Sequence, residues 1–384
     1  MDSRERILQA LSHREPDKVP LDIQGMGASR VYAKPMRAFC ELAGQKCDFD
    51  ADIEGFAVLS EGLLDRLKVD TRGVAARAPE ETKSWREGET VFVENEMGVI
   101  SARPPSSIYF DTVLNPMSGV TCIDDVRDFP WPDPEEPSRF CGLEQKMKRL
   151  KGSFAVILTP FLPGVFETLI SLCGYERTMA GLIEDRSLFQ YIIDRIVEIK
   201  CSFYRKLRKS VTESPDIVFE TDDLGTQNGP LISPRMYREL FLPAHKKVID
   251  EIKKSLAGVK VLLHSCGSIR WALPMLIDAG VDIINPVQPG AKDMDLKELK
   301  REFGDSLVFW GASVDPQKTL VTGTPQMIEH EVRDHIETLS VNGGFVLAPV
   351  HNIQPDVPGR NLMAFLKAIR SEEHTSELQS RQSI

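Results

Sequence analysis

The chain has 384 residues, of which 42% are hydrophobic, and a formal charge of 47 − 57 = −10. That composition is globular, long enough for one large domain or two medium ones. The acidic balance, with no Lys/Arg stripe interleaved with aromatics, argues against nucleic-acid binding, and no apolar run approaches the roughly 20 residues of a membrane span. Met1-Asp2-Ser3-Arg4-Glu5 lacks the basic and apolar blocks of a signal peptide. Seven scattered cysteines, at 40, 47, 122, 141, 173, 201 and 266, do not suggest a disulfide framework. A cytoplasmic location is therefore expected.

In chain order, the pattern starts with an amphipathic helix, Ser3 to Leu11, and a short strand, Val19 to Ile23. A further strand is expected near Phe56–Leu59. Residues 85–103 alternate as a hairpin, and proline-rich loops surround Pro104-Pro105 and Trp131-Pro132-Asp133-Pro134. These segments read as elaborations on a core. From Phe154 the order is strand 154–158, helical periodicity from Val165 to Arg208 and strand 216–219. The basic patch Lys206–Lys209 suits the C-terminal dipole of that helical stretch. Helix 234–255, strand 259–263, helix 271–279, strand 282–284 and helix 296–303 follow. Strand 307–309, helix 325–340, strand 344–347 and helix 359–369 complete the series. Strands alternating with helices imply a parallel sheet, and eight strands favour a single α/β domain, a (β/α)8 TIM barrel spanning 1–369. Residues 370–384 have no apolar face and look like a translated sequencing adapter or a disordered tail, which removes His374 from consideration.

In such a barrel, chemistry sits where strands end. His264-Ser265-Cys266-Gly267 closes the apolar run 259–263. Side chains two residues apart share one face of an extended backbone, so His264 and Cys266 can both reach one soft metal ion, zinc before others. The competing reading is a buried thiol beside a hydrogen-bonded strand-end histidine. His351 is the best candidate for a third ligand. The other strand ends carry Asp222 and Asp223, Asn285 and Gln288, Ser313 and Asp315, and Asn352. Asp222 and Asp223 either orient ligands and handle a proton or cap the following loop. Asn285 precedes Pro286 and also suits a turn, and Asp315-Pro316 reads as a helix N-cap. Gly25-Met26-Gly27 is no dinucleotide fingerprint.

Several segments together resemble the uroporphyrinogen decarboxylase superfamily. They are Arg6–Leu11 with Pro16–Pro20, Thr221–Gly225, His264–Gly267, Ala279–Asp282 with Asn285-Pro286, and Leu347–Pro349 with His351–Pro355. The resemblance covers nearly the whole chain to about residue 369. It implies a (β/α)8 barrel and two main functional classes: metal-free decarboxylases of haem biosynthesis, and zinc-dependent methyltransferases serving corrinoid or thiol carriers. The methyltransferase motif is His-x-Cys with a later Cys. His264 and Cys266 match it, and His351 stands near the place of the missing cysteine. A His2Cys site fits zinc with one position open. The decarboxylases' arginine-rich segment is reduced here to Arg30 within Leu21–Arg30.

The resemblance therefore implies first a methyltransferase. Zinc would sit on His264, Cys266 and His351, with Asp222 and Asp223 tuning the site and Asn285, Gln288 and Asn352 orienting a small substrate such as a methoxyarene. A corrinoid on a separate carrier protein would exchange the methyl group. Uroporphyrinogen decarboxylation ranks second, and a non-catalytic barrel that binds a tetrapyrrole or a carrier protein ranks third.

Overall fold

The structure, a computed structural model, describes residues 1–76, 83–159 and 161–369; the tail 370–384 and His374 lie outside the described residues. The N-terminal helix Ser3–Leu11 starts at a capping box, in which Asp2 accepts from the Glu5 N–H and Glu5 reaches back to the Asp2 N–H. Helix Ala33–Leu42 leads to β1 (Phe49–Ala51) and β2 (Ala57–Leu59), and β3 (Thr71–Ala75) follows. The expected hairpin extends to a separate antiparallel sheet of β4 (Lys83–Glu87), β5 (Thr90–Glu94), β6 (Ile100–Arg103) and β7 (Asp111–Leu114). Next come β8 (Ala155–Thr159) and β9 (Ile217–Thr221), then a short pair, β10 (Gly225–Thr226) and β11 (Gly229–Pro230). The last strands are β12 (Lys260–His264), β13 (Ile283–Asn285), β14 (Val308–Ala312) and β15 (Phe345–Ala348).

The main sheet has seven parallel strands in the order β15-β14-β13-β12-β9-β8-β3, curled and flanked by helices. Two expectations are corrected. β2 is not one of its strands. It pairs antiparallel with β1, because the Asp52 carboxylate accepts the N–H groups of Glu54 and Phe56 and reverses the chain between them. Residues 19–23 make a single parallel bridge, Leu21 to Leu347, in place of a strand. Pro20 has no N–H to give, and the chain turns away at Gln24, where φ is +65°. The strand pairing is therefore that of an open sheet, not of a closed (β/α)8 barrel. Residues 20–22 nonetheless bond towards both edges. Asp22 N–H donates to the Leu347 carbonyl (2.8 Å), and Asp70 N–H donates to the Leu21 carbonyl (2.8 Å).

Alternation along the strands divides the core. Ile157, Ile217, Phe219, Leu262, Ile283, Val308, Trp310 and Val346 face inward, together with Ile7, Ala10 and Leu11 of the first helix. Val156, Val218, Val261, Leu263, Ile284 and Phe309 face the surrounding helices. Arg4 N–H donates to the Ser153 carbonyl and Gly344 N–H to the Ala10 carbonyl, so the first helix packs at the N-terminal ends of the strands. The opposite, C-terminal ends hold the polar residues. The long periodicity from Val165 is three helices, Val165–Cys173, Tyr175–Glu184 and Arg186–Ser210, interrupted at Gly174 (φ +84°) and Asp185. Among the described residues, no helix is long and apolar enough to cross a membrane.

Candidate metal centre

His264 is the last residue of β12, and the parallel register sets it beside Thr221 of β9 and Asn285 of β13. That register explains the first contact of the site. His264 Nδ1 lies 2.6 Å from Asn285 Oδ1, while Asn285 Nδ2 donates to the Trp310 carbonyl at 3.0 Å. The Trp310 carbonyl accepts only, so it fixes which way the amide points. Asn285 Oδ1 must then accept from His264 Nδ1–H, and His264 Nε2 keeps a free lone pair. That nitrogen faces Cys266 Sγ at 3.3 Å.

His351, past the end of β15, completes a cluster. One ligand atom from each of His264, Cys266 and His351 lies within 4.8 Å of the others. Two atoms held tetrahedrally at zinc distances are about 3.6 Å apart, so the set fits one small soft cation after slight closure. Its electrostatics agree. Burial holds His264 below the ordinary imidazole range, and burial followed by the neighbouring His264 takes His351 down to about 4. Both rings are thus neutral, as ligands must be. Burial, then Asp223 and Glu167, push the Cys266 thiol well up. A bound cation would relieve that cost by stabilising the thiolate.

The loops are held by close backbone approaches. Cys266 N–H donates to Asp223 Oδ1 at 2.7 Å, and Gly267 N–H to Gln288 Oε1 at 3.0 Å. Gly267 has φ +82°, and a Cβ there would stand 2.6 Å from the Thr226 carbonyl oxygen. Asn352 Oδ1 accepts from Arg30 N–H at 2.7 Å. Asp315 Oδ1 accepts the N–H groups of Gln317 and Lys318, as a cap does. Ser313 is buried.

Asp222 and Asp223 part company. Asp223 turns towards Cys266, whereas Asp222 is fully buried behind the strand end. Asp222 accepts from the N–H groups of Phe166 and Glu167 (2.9 and 2.8 Å), at the start of helix Val165–Cys173, and from His245 Nε2 (2.7 Å). Tyr237 Oη lies 3.0 Å from His245 Nδ1. Sequence reasoning named Asp222 but missed His245, Tyr237 and Glu167. Thr221 Oγ1 donates to Glu167 Oε2 at 2.5 Å, and burial, then Asp222 and Asp223, push the Glu167 carboxyl up to about 7. The only local signal was a histidine and a tyrosine eight residues apart on an otherwise amphipathic helical stretch.

The model of the family described as uroporphyrinogen decarboxylase (URO-D) matches residues 113–372. The chain is 24% identical over 258 residues to a uroporphyrinogen decarboxylase of Psychromonas ingrahamii, covering 65% of this chain and 69% of that one. It is also 24% identical over 248 residues to a methylated-thiol–coenzyme M methyltransferase of Methanosarcina mazei, covering 63% of this chain and 62% of that one. Among solved structures, a methyltransferase from Methanosarcina mazei superposes with a TM-score of 0.61 at 15% identity, covering 97% of this chain and 99% of that one, a likeness of fold. The family match spans well over half of the sequence, and the chain belongs to the uroporphyrinogen decarboxylase (URO-D) family.

Proposed function

We propose that this protein is a metal-dependent methyltransferase that moves a methyl group between a small substrate and a corrinoid on a carrier protein. The observation that carries the proposal is the convergence of His264, Cys266 and His351, with His264 fixed in the tautomer a ligand needs. The solved methyltransferase of the same fold and the thiol methyltransferase relative support it. Zinc, when bound, would supply a Lewis acid for an ether oxygen or a thiol. The residues themselves do the rest. Asn285 holds the His264 ring, and Asp223 places its charge and the Cys266 backbone. Asp222 and His245 secure the helix behind the site, while Gln288 and Asn352 keep the loops at its edge and orient the substrate. Heterolysis of the methyl–heteroatom bond leaves an electron pair on the heteroatom, and a methoxyarene would leave as a phenolate that takes up a proton. In the same reading, residues 1–369 form one domain, and residues 20–22 complete a closed (β/α)8 arrangement by bonding to both sheet edges.

A second reading is uroporphyrinogen decarboxylation, the activity named for several relatives. A substrate with eight carboxylates calls for free guanidinium groups. Arg30, the one arginine of the Leu21–Arg30 stretch, is already paired with Asp52 and Glu54 and lies over the Phe56 ring. The deciding experiment is metal analysis of the protein and of Cys266→Ala. About one zinc per chain, lost in the variant together with methyl transfer to a corrinoid carrier, is the expected result. Protein that stays metal-free when zinc is supplied overturns the methyl-transfer proposal, and turnover of uroporphyrinogen then tests the second reading.

A further inference from the structure

The carboxyl group of Glu167 stands beside the metal centre without belonging to it. Ile217 and Phe219 of β9 and Leu262 of β12 face into the curl of the sheet. Alternation puts Thr221 and His264 on that same face, and the register makes them neighbours on strands about 4.8 Å apart. The His264 ring accordingly lies across from the Phe219 ring, with centroids 6.1 Å apart. Glu167 reaches this face from the helix that precedes β9. Gly164, having no Cβ, lets the start of helix Val165–Cys173 lie against the Thr221 backbone, and Asp222 holds the N–H groups of Phe166 and Glu167. Glu167 Oε2 then accepts from Thr221 Oγ1 at 2.5 Å and from Gly164 N–H at 3.3 Å. The second bond is the capping contact of the helix. Both fall on Oε2, and among the described residues none is made to Oε1. Glu167 is half-buried between the fully buried Phe166 and Thr168, so the site does not seal it off. Its oxygens are not among the ligand atoms that converge on the metal position.

We propose that Glu167 is the proton donor of the site, handing the proton of its Oε1 to the heteroatom that loses the methyl group. The inference rests on the methyl-transfer reading. The methyl–heteroatom bond breaks with its electron pair left on the heteroatom, and the methyl carbon bonds to the nucleophile of the carrier, which supplies the new pair. With a methoxyarene, the proton that the phenolate takes up comes from Glu167. Glu167 is left as a carboxylate and regains its proton from water. The bonds from Thr221 and Gly164 hold Oε2 as the accepting oxygen, which leaves Oε1 to carry the acidic proton. Burial, then Asp222 and Asp223, keep the carboxyl at about 7, and an acid with a pKa near the ambient pH is an efficient donor. The other charged or titratable groups around it are His264 and Cys266 after β12, His245, which bonds Asp222, and Lys200, whose Nζ donates to the Pro163 carbonyl at 2.8 Å.

Glu167→Gln keeps the shape of the side chain and an oxygen that accepts from Thr221 and Gly164, so the helix cap and the zinc are expected to stay. Two measurements on the full chain test the proposal. Infrared difference spectra against pH, without and with zinc, read the C=O stretch of protonated carboxyl groups. Both forms are read because the cation and the Cys266 thiolate it stabilises act on Glu167 in opposite senses. The expected result is a band that titrates near pH 7 in the metal-free protein, stays above the ordinary carboxylate range with zinc and is absent from Glu167→Gln. A Glu167 band that titrates in the ordinary range, about 4, overturns the proposal. Methyl transfer to a corrinoid carrier is then compared for 4-nitroanisole, which releases an acidic phenol, and 4-methylanisole, which releases a weakly acidic one. Glu167→Gln, with its zinc intact, is expected to lose about 100-fold on 4-methylanisole, a loss about 10-fold larger than on 4-nitroanisole. Equal losses on the two ethers, or none, overturn the proposal. Zinc-bound wild-type protein that demethylates neither ether overturns the methyl-transfer reading and this one with it, whereas failure of the Glu167 proposal alone leaves wild-type turnover intact.

Discussion

Asn285 connects the chemistry of one residue to the scaffold of another. Its amide accepts from His264 and donates to the Trp310 carbonyl, so neither half is free to rotate. Asn285→Ala is expected to leave the fold in place but to weaken zinc binding about 10- to 100-fold, measured by competition with a chelator. Proton release gives a second test at this scale. With His351 titrating near 4 and His264 also held low, both rings are unprotonated at neutral pH, while Cys266 is a thiol. Zinc binding at pH 7 should therefore release one proton per site, from Cys266, as read by calorimetry in buffers of different ionisation enthalpy. The same depression of His351 affects the metal-free fold. The unfolded ring titrates near 6.5 and the folded one near 4, so between these values the unfolded state binds more protons. The contribution is present above pH 6.5 and is lost as pH falls through 4, by up to about 3 kcal/mol. His351→Gln should flatten the urea-unfolding stability over that window.

The elements show what could be read in the sequence and what could not. The sheet strands β8, β9, β12, β13, β14 and β15 each start one residue after the apolar run that announced them, whereas the short pair β10 and β11 had no apolar run to announce it; His264 stands at a strand end as expected. β3 escaped notice because its residues, Thr71-Arg72-Gly73-Val74-Ala75, are neither continuously apolar nor cleanly alternating. Its place in the sheet rests on Arg72, which is buried, stacked on Phe154 and paired with Glu61 and Asp65. Asp222 read as a site carboxylate or a loop cap, and its hold on the start of a helix was not legible, because its partners there, Phe166 and Glu167, lie 56 and 55 residues away. The start of helix Val165–Cys173 is correspondingly intolerant. A Cβ on Gly164 would come within 1.8 Å of the Thr221 carbonyl oxygen and 2.4 Å of the Asp222 carboxyl carbon. Gly164→Ala should lower stability in urea by about 3 kcal/mol or more, and a neutral result would mean that the helix can shift without cost.

Across the whole molecule, the segment around residue 21 joins regions that strand pairing leaves apart. Asp22, fully buried, accepts from Thr71 Oγ1 (2.5 Å), Gly25 N–H (2.9 Å) and Trp310 Nε1 (3.0 Å). One carboxylate thus contacts the first strand of the main sheet and the indole of β14, which lies inside its curl. Asp22→Ala would leave those buried donors unpaired, at a cost of about 2–4 kcal/mol. The loss should appear as one cooperative shift in denaturant, since separate transitions would mean that the two regions unfold independently.

The pairing of β12 with β13 also has a chemical consequence. Sliding either strand by one residue would bring Ile284 or Pro286 opposite His264, and neither side chain can accept its Nδ1 proton. The imidazole would then be free to exchange its two tautomers, and its Nε2 lone pair would no longer be reserved for a ligand, without any substitution. The proton on His264 is thus a local record of long-range alignment. A nitrogen resonance from that one ring would report, in the metal-free protein, whether the sheet has assembled in the correct frame.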